Sequence, residues 1–126
     1  SKAALRRTAR HGDGWHPVGA IAASPLPPGE MRTHLATLKQ MTEAEGRDFS
    51  KITISYKAPL YDAAVSDRDG ERRSFSGSPD EIAGDIRTFA AIGVHELIFD
   101  FRGNAIKDSI ARLQRFAAEV MPLVGD

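Results

Sequence analysis

Residues 78–101, SPDEIAGDIRTFAAIGVHELIFDF, contain a complete helix start, a helix stop and a strand. Ser78 stands where an N-cap serine accepts a backbone N–H. Pro79 suits the first helical position, and Glu81, three residues after the cap, completes a capping box. Ile82, Ile86, Phe89 and Ala90 recur at helical spacing as a buried stripe. Gly93 supplies the left-handed stop. His95–Phe101 is then an apolar run of strand length.

The same rhythm extends to both sides. Upstream, Ala3–Arg10 predicts a short helix with Arg6, Arg7 and Arg10 outside and Gly12 as its stop. Gly14–Val18 is a short apolar strand that Pro17 weakens. The prolines of Ser24–Gly29 mark a loop, and a helix begins near Pro28, with Met31, Leu35, Leu38 and Met41 on one face and Gly46 at its end. Lys51–Ala58 alternates, Ile52, Ile54 and Tyr56 against Thr53, Ser55 and Lys57, which is a strand with two unlike faces. Asp62–Gly77 is polar and too long for a tight turn, so it reads as a surface loop or small hairpin, with the run 68–73 solvated. Downstream, Ile106–Met121 predicts a last helix with Ile110, Leu113, Phe116, Ala117 and Val120 inward, ended by Pro122.

Strands that alternate with helices imply an α/β fold of parallel strands joined by right-handed crossovers. The chain is expected to be a single α/β segment over residues 1–126. Its 126 residues fall short of the roughly 250 that a full (β/α)8 barrel takes. No strand precedes the first helix, and three parallel strands leave two open edges and an apolar inner face. The expectation is a chain cut from something larger, or one that completes its sheet as a homo-oligomer.

Composition narrows the partners. Lys plus Arg equals Asp plus Glu at 17 each. That balance argues against nucleic acid or an anionic membrane as partner, while leaving room for a local phosphate site. Cysteine is absent, so there is no disulfide, thiolate metal site or cysteine nucleophile, as suits a cytoplasmic protein. No apolar run is long enough to span a membrane. His11, His34 and His95 are scattered without metal-ligand spacing, so no metal site is expected. Gly12-Asp13-Gly14 lacks the third glycine of a dinucleotide fingerprint.

Several blocks resemble one family. SKAALRRTARHGDGW (1–15) is similar to the alanine- and arginine-rich helix and Asp-Gly-Trp turn of luciferase-like monooxygenases. Glu45-Gly46-Arg47-Asp48 resembles that family's Gly-Arg-Asp helix end. Gly77-Ser78-Pro79-Asp80-Glu81-Ile82, Gly93-Val94-His95-Glu96-Leu97 and Phe116–Pro122 match its later blocks in order. The wording is most similar to the subgroup dependent on coenzyme F420, a deazaflavin, with FMN-dependent relatives close behind.

The resemblance implies the C-terminal part of a (β/α)8 barrel that binds coenzyme F420 or FMN at the C-terminal ends of its strands. The reaction implied is hydride transfer or monooxygenation on a small organic substrate. It also implies a chain that starts just after a Gly-Gly loop and lacks the half where most catalytic positions lie, so the isolated chain is expected to be inactive. The alternative is a stand-alone, non-catalytic α/β binding or oligomerisation module.

The cofactor-binding residues implied are Ser1, Lys2 and Ala3, at a helix N-terminus that suits a phosphate, and Gly14 and Trp15, lining the cleft. Against these stand a frayed chain end for the first group and a core-filling ring for Trp15. Asp13 caps a turn or joins the cleft. His16, at a strand end, and Lys57, near the end of the second strand, are ligand contacts or plain surface groups. Asp100 and Arg102 form an ion pair or flank a site.

Overall fold

The computed structural model describes residues 2–61, 63–101 and 105–125. The elements run α1 (Lys2–His11), β1 (Gly14–Trp15), α2 (Pro28–Ala44), a 3-10 turn (Phe49–Lys51), β2 (Thr53–Pro59), α3 (Pro79–Ala91), β3 (Glu96–Asp100) and α4 (Ile106–Arg115). A π-helical stretch (Phe116–Val120) then leads into α5 (Met121–Val124). The strands form one sheet in the order β1-β2-β3, both pairings parallel. The fold is therefore α/β with alternating βα units, as the sequence implies.

Register gives the sheet two unlike faces. Trp15 lies opposite Ile54, and Tyr56 and Ala58 lie opposite Leu97 and Phe99. These residues face the helices. Tyr56, Phe75 and Phe89 are fully buried and pack ring on ring, with centroids 4.6 to 5.8 Å apart, and Phe99 and Phe116 extend the cluster. The alternate residues, Gly14, Thr53, Ser55, Lys57, Glu96, Ile98 and Asp100, lie on the opposite face. For β2 this is the polar face that the alternation predicts; the apolar inner face expected of the sheet as a whole is instead mixed and largely polar.

The ends of the elements follow local chemistry. Ser78 and Glu81 make both hydrogen bonds of the capping box, at 3.2 and 3.0 Å. This pairing holds the Glu81 carboxyl below its ordinary range. Asp48 caps the 3-10 turn by accepting from the Ser50 N–H and hydroxyl. Arg47 donates to the carbonyls of Thr8, Ala9 and Gly12 at 3.0, 2.8 and 2.6 Å, satisfying the open C-terminal end of α1. The Gly-Arg-Asp block thus has a structural role, joining α2 to α1.

Three readings need correction. The first strand pairs as a ladder only at Gly14 and Trp15. It resumes as one bridge, Val18 with Lys57, because a continuous ladder would ask residue 17 for an N–H that proline lacks. The last helix buries Val120 and half-buries Phe116, whereas Ile110 and Leu113 are 50% and 51% exposed and Ala117 is exposed. Its rotation points Phe116 at Phe99 and Phe101, so the stripe through Ile106, Ile110 and Leu113 faces away from the core. Nor does Pro122 end the helix. The wide π turn before it absorbs the missing N–H, and helix continues to Val124.

Gly19 is where space is tightest. A Cβ there would lie 2.1 Å from the Tyr56 hydroxyl. Gly19→Ala is expected to cost about 1–3 kcal/mol through overpacking, read as a lower urea midpoint at unchanged slope. An unchanged midpoint would refute the contact.

Candidate functional site

In a parallel sheet, ligands bind where the loops leave the C-terminal ends of the strands. Two such loops lie almost wholly among the described residues, 16–27 after β1 and 60–78 after β2. Between them lies a cleft of about 1100 Å³. Its first wall is small and apolar, with Ala22, Ala23, Pro25 and Pro27, and ends at Glu30 of α2. Its second wall is charged, running from Ser66 to Ser74 with Asp85 of α3 behind.

Both loops hold residues in the left-handed region that side chains normally avoid: Ala20 (φ 56), Leu26 (φ 41) and Phe75 (φ 62). All three are buried, and hydrogen bonds fix each one. The Tyr61 hydroxyl donates to the Ala20 carbonyl at 2.7 Å, and the Tyr56 hydroxyl to the Leu26 carbonyl at 3.0 Å. The Phe75 N–H donates to Asp85 Oδ2 at 2.8 Å. Burial pushes the Tyr56 phenol well above its ordinary pKa, so it stays a donor. Strain kept in this way, at the end of a sheet where ligands bind, marks a shaped site.

The polar loop is a small hairpin, bridged at Ser66 and Arg72, and its charged run is not simply solvated. Arg72 forks onto both oxygens of Asp85 at 2.9 and 2.7 Å, reaches Glu81 at 3.1 Å and donates to the Ser76 carbonyl. Arg73 donates to Asp67 at 2.7 Å and lies over the Tyr61 ring. Asp85 and Arg72 thus tie the loop to α3. The lining carries Glu30, Asp67, Asp69, Glu71 and Asp85 against Arg68, Arg72 and Arg73, a surplus of carboxylates. That balance suits an organic ligand with an apolar side better than a phosphate.

The helix-free face forms a second polar surface beside this cleft. Ser55 is buried and donates to Glu96 Oε1 at 3.3 Å. Lys57 is exposed between Val18, its bridge partner beyond β1, and Ile98 on β3. His16 is exposed at the end of β1, and its ring covers Gly14, where a Cβ would lie 2.9 Å from Nε2.

The implied cofactor residues do not gather at one place. Ser1 lies outside the described residues. Lys2 and Ala3 are exposed in the first turn of α1, which has no acidic residue. Gly14 and Trp15 follow the other end of that ten-residue helix, about 15 Å away at 1.5 Å per residue. The half-buried Trp15 ring turns toward α2, edge-on to His34 at 6.2 Å, as a core-filling ring does. Asp13 is exposed, 3.9 Å from Arg47. Arg102, the expected partner of Asp100, lies outside the described residues.

Sequence reasoning missed Glu96 and Tyr61. The alternation in Glu96-Leu97-Ile98-Phe99-Asp100 already put Glu96, Ile98 and Asp100 on one face, but their neighbours needed the register. His95 had a local role instead: Nδ1 accepts the Ile54 N–H at 3.0 Å, extending the pairing of β2 beyond the ladder.

A parallel, sequentially ordered sheet with a cleft at its C-terminal end defines an α/β chain of alternating βα units, the kind of unit from which (β/α) barrels are built. Among solved structures, the coenzyme F420-dependent tetrahydromethanopterin reductase of Methanopyrus kandleri is similar in fold. Its TM-score is 0.66 at 12% sequence identity, over 94% of this chain and 47% of that one. The chain therefore spans about half the length of the reductase it matches. No family model and no curated protein matches it. At this identity the likeness is one of fold.

If Asp85 ties the second loop to α3, Asp85→Asn should cost about 1–3 kcal/mol, by weakening the fork from Arg72 and the bond from Phe75. Hydrogen exchange should quicken in residues 63–78 while β2 stays protected. Equal quickening throughout would show that Asp85 acts on global stability alone.

Proposed function

We propose that the chain is the C-terminal part of a flavin- or deazaflavin-dependent oxidoreductase of the luciferase-like kind. It would act by hydride transfer or monooxygenation on a small organic substrate. The observation that carries this reading is the fold match over 94% of the chain to a reductase whose name includes coenzyme F420. The family blocks read from the sequence support it independently.

The residues present fit one end of such a cofactor. The first turn of α1 offers the positive end of a helix, Lys2 and no carboxylate, which is phosphate chemistry. The acidic cleft does not fit a phosphate. Trp15, turned toward α2, is not positioned to stack a ring on the helix-free face, so any ring contact falls to other residues. When bound, the cofactor supplies the hydride chemistry, and this chain's residues orient its phosphate and the substrate.

Titration of the chain with riboflavin, FMN and F420 tests this. FMN is expected to bind more tightly than riboflavin, Lys2→Ala to remove most of that difference, and the chain alone to show no turnover. Equal binding of riboflavin and FMN would remove the phosphate assignment; turnover by the chain alone would contradict a divided site.

Self-association belongs to the same reading. Ile106, Ile110 and Leu113 are 80%, 50% and 51% exposed along one side of α4. Light scattering is expected to show a dimer or larger species that Ile110→Arg shifts toward monomer. A stable wild-type monomer at high concentration would contradict it.

A further inference from the structure

We infer that Lys57, with Glu96 beside it, is a recognition site for a planar heterocycle that presents a carbonyl next to an N–H, the edge of a cyclic amide or imide. This rests on the oxidoreductase reading only in supposing that such a ring is brought to the sheet. The recognition chemistry is argued from the face itself.

Register places the groups. Lys57 lies opposite Ile98 on one side and Val18 on the other, all on the helix-free face. Val18 and Ile98 are 47% and 41% exposed, large apolar side chains left open inside a sheet. Together they form a narrow aliphatic platform, divided by one ammonium. Glu96 and Asp100 stand two residues before and after Ile98 on the same face, so carboxylates lie diagonal to Lys57 on both sides. Strands about 4.8 Å apart put these heads within reach of one small ring.

The pattern selects a ligand. An ammonium offers only donors and a carboxylate only acceptors. A ring laid over Val18 and Ile98 would meet both kinds along one edge, and a cyclic amide edge is complementary to that alternation. A simple organic anion is less suited, since Glu96 stands diagonal to Lys57 on the same face. Glu96 is already oriented, because Ser55, buried beneath it, donates to one of its oxygens. Lys57 makes no side-chain hydrogen bond or ion pair among the described residues, so binding breaks no existing contact of its ammonium.

Two sources of such an edge exist, a cofactor ring and a substrate ring, and the test separates them. The chain is titrated with lumiflavin, which carries the flavin imide without a phosphate, and with 6-methylpterin, which carries a lactam. Lys57→Met and Glu96→Gln are each expected to weaken whichever ring binds by about tenfold, the size of one or two charged hydrogen bonds. The control Lys51→Met, an exposed lysine of the 3-10 turn, should leave binding unchanged, and circular dichroism checks that every variant folds. N3-methyllumiflavin, without the imide N–H, should bind as weakly to the wild type as lumiflavin does to Glu96→Gln. Loss for lumiflavin assigns the edge to a cofactor, and loss for the pterin assigns it to a substrate. Absence of wild-type binding to either ring, or wild-type affinity in both site variants, overturns the proposal. Because neither ring has a phosphate, failure here leaves the phosphate contrast between FMN and riboflavin standing.

Discussion

Tyr56 is the point on which the described structure depends. It sits in β2, the strand that pairs on both sides, and is fully buried. Its ring meets Phe89 of α3 and Phe75 of the second loop, and its hydroxyl passes under Gly19 to the Leu26 carbonyl of the first loop. One side chain thus connects sheet, helix and both loops of the cleft. Burial holds the phenol protonated, so the bond to Leu26 lasts across the ordinary pH range. A phenylalanine here would keep the ring packing but leave a buried carbonyl unpaired beside a residue already at positive φ.

The rest follows from what Tyr56 closes and what it leaves open. On the helix side, apolar rings pack to exclusion of water, and the loops above them are held in strained conformations. On the other side, the strands present an ammonium, carboxylates, hydroxyls and two bare aliphatic side chains. In a sheet with helices on one side only, the second face either meets water or lines an interior. Exposed Val18 and Ile98 beside charged groups are consistent with the ligand surface proposed above.

How much of this was legible in the sequence depended on the range of the interaction. The helix from Pro79 to Ala91 was readable because the capping box of Ser78 and Glu81 and the stop at Gly93 act within one turn. The two faces of β2 were readable because side chains alternate with period two. The rotation of α4 was not. Its apolar residues cover two stripes, and only Phe99 and Phe101, distant in sequence, decide that Phe116 rather than Ile110 turns inward. The hairpin 66–72 looked solvated because alternating charges carry no signal of which partner each will meet; Asp85, on the next helix, draws in Arg72. Trp15 is a similar case. One residue fixed its strand, but its face depended on pairing with Ile54.

A net charge of zero conceals a division of charge that bears on function. Lys2, Arg6, Arg7 and Arg10 stand exposed along α1, and of these Arg10 is paired, with Glu45 at 3.2 Å. The cleft between the loops has more carboxylates than guanidiniums, and of the latter Arg72 is bound to Asp85 and Glu81 and Arg73 to Asp67. An anionic group is therefore attracted to the N-terminal end of α1 and discouraged at the cleft, while a neutral ring meets no such penalty on the helix-free face. A ligand with an anionic tail and a neutral planar head would lie with its tail at α1 and its head over β2.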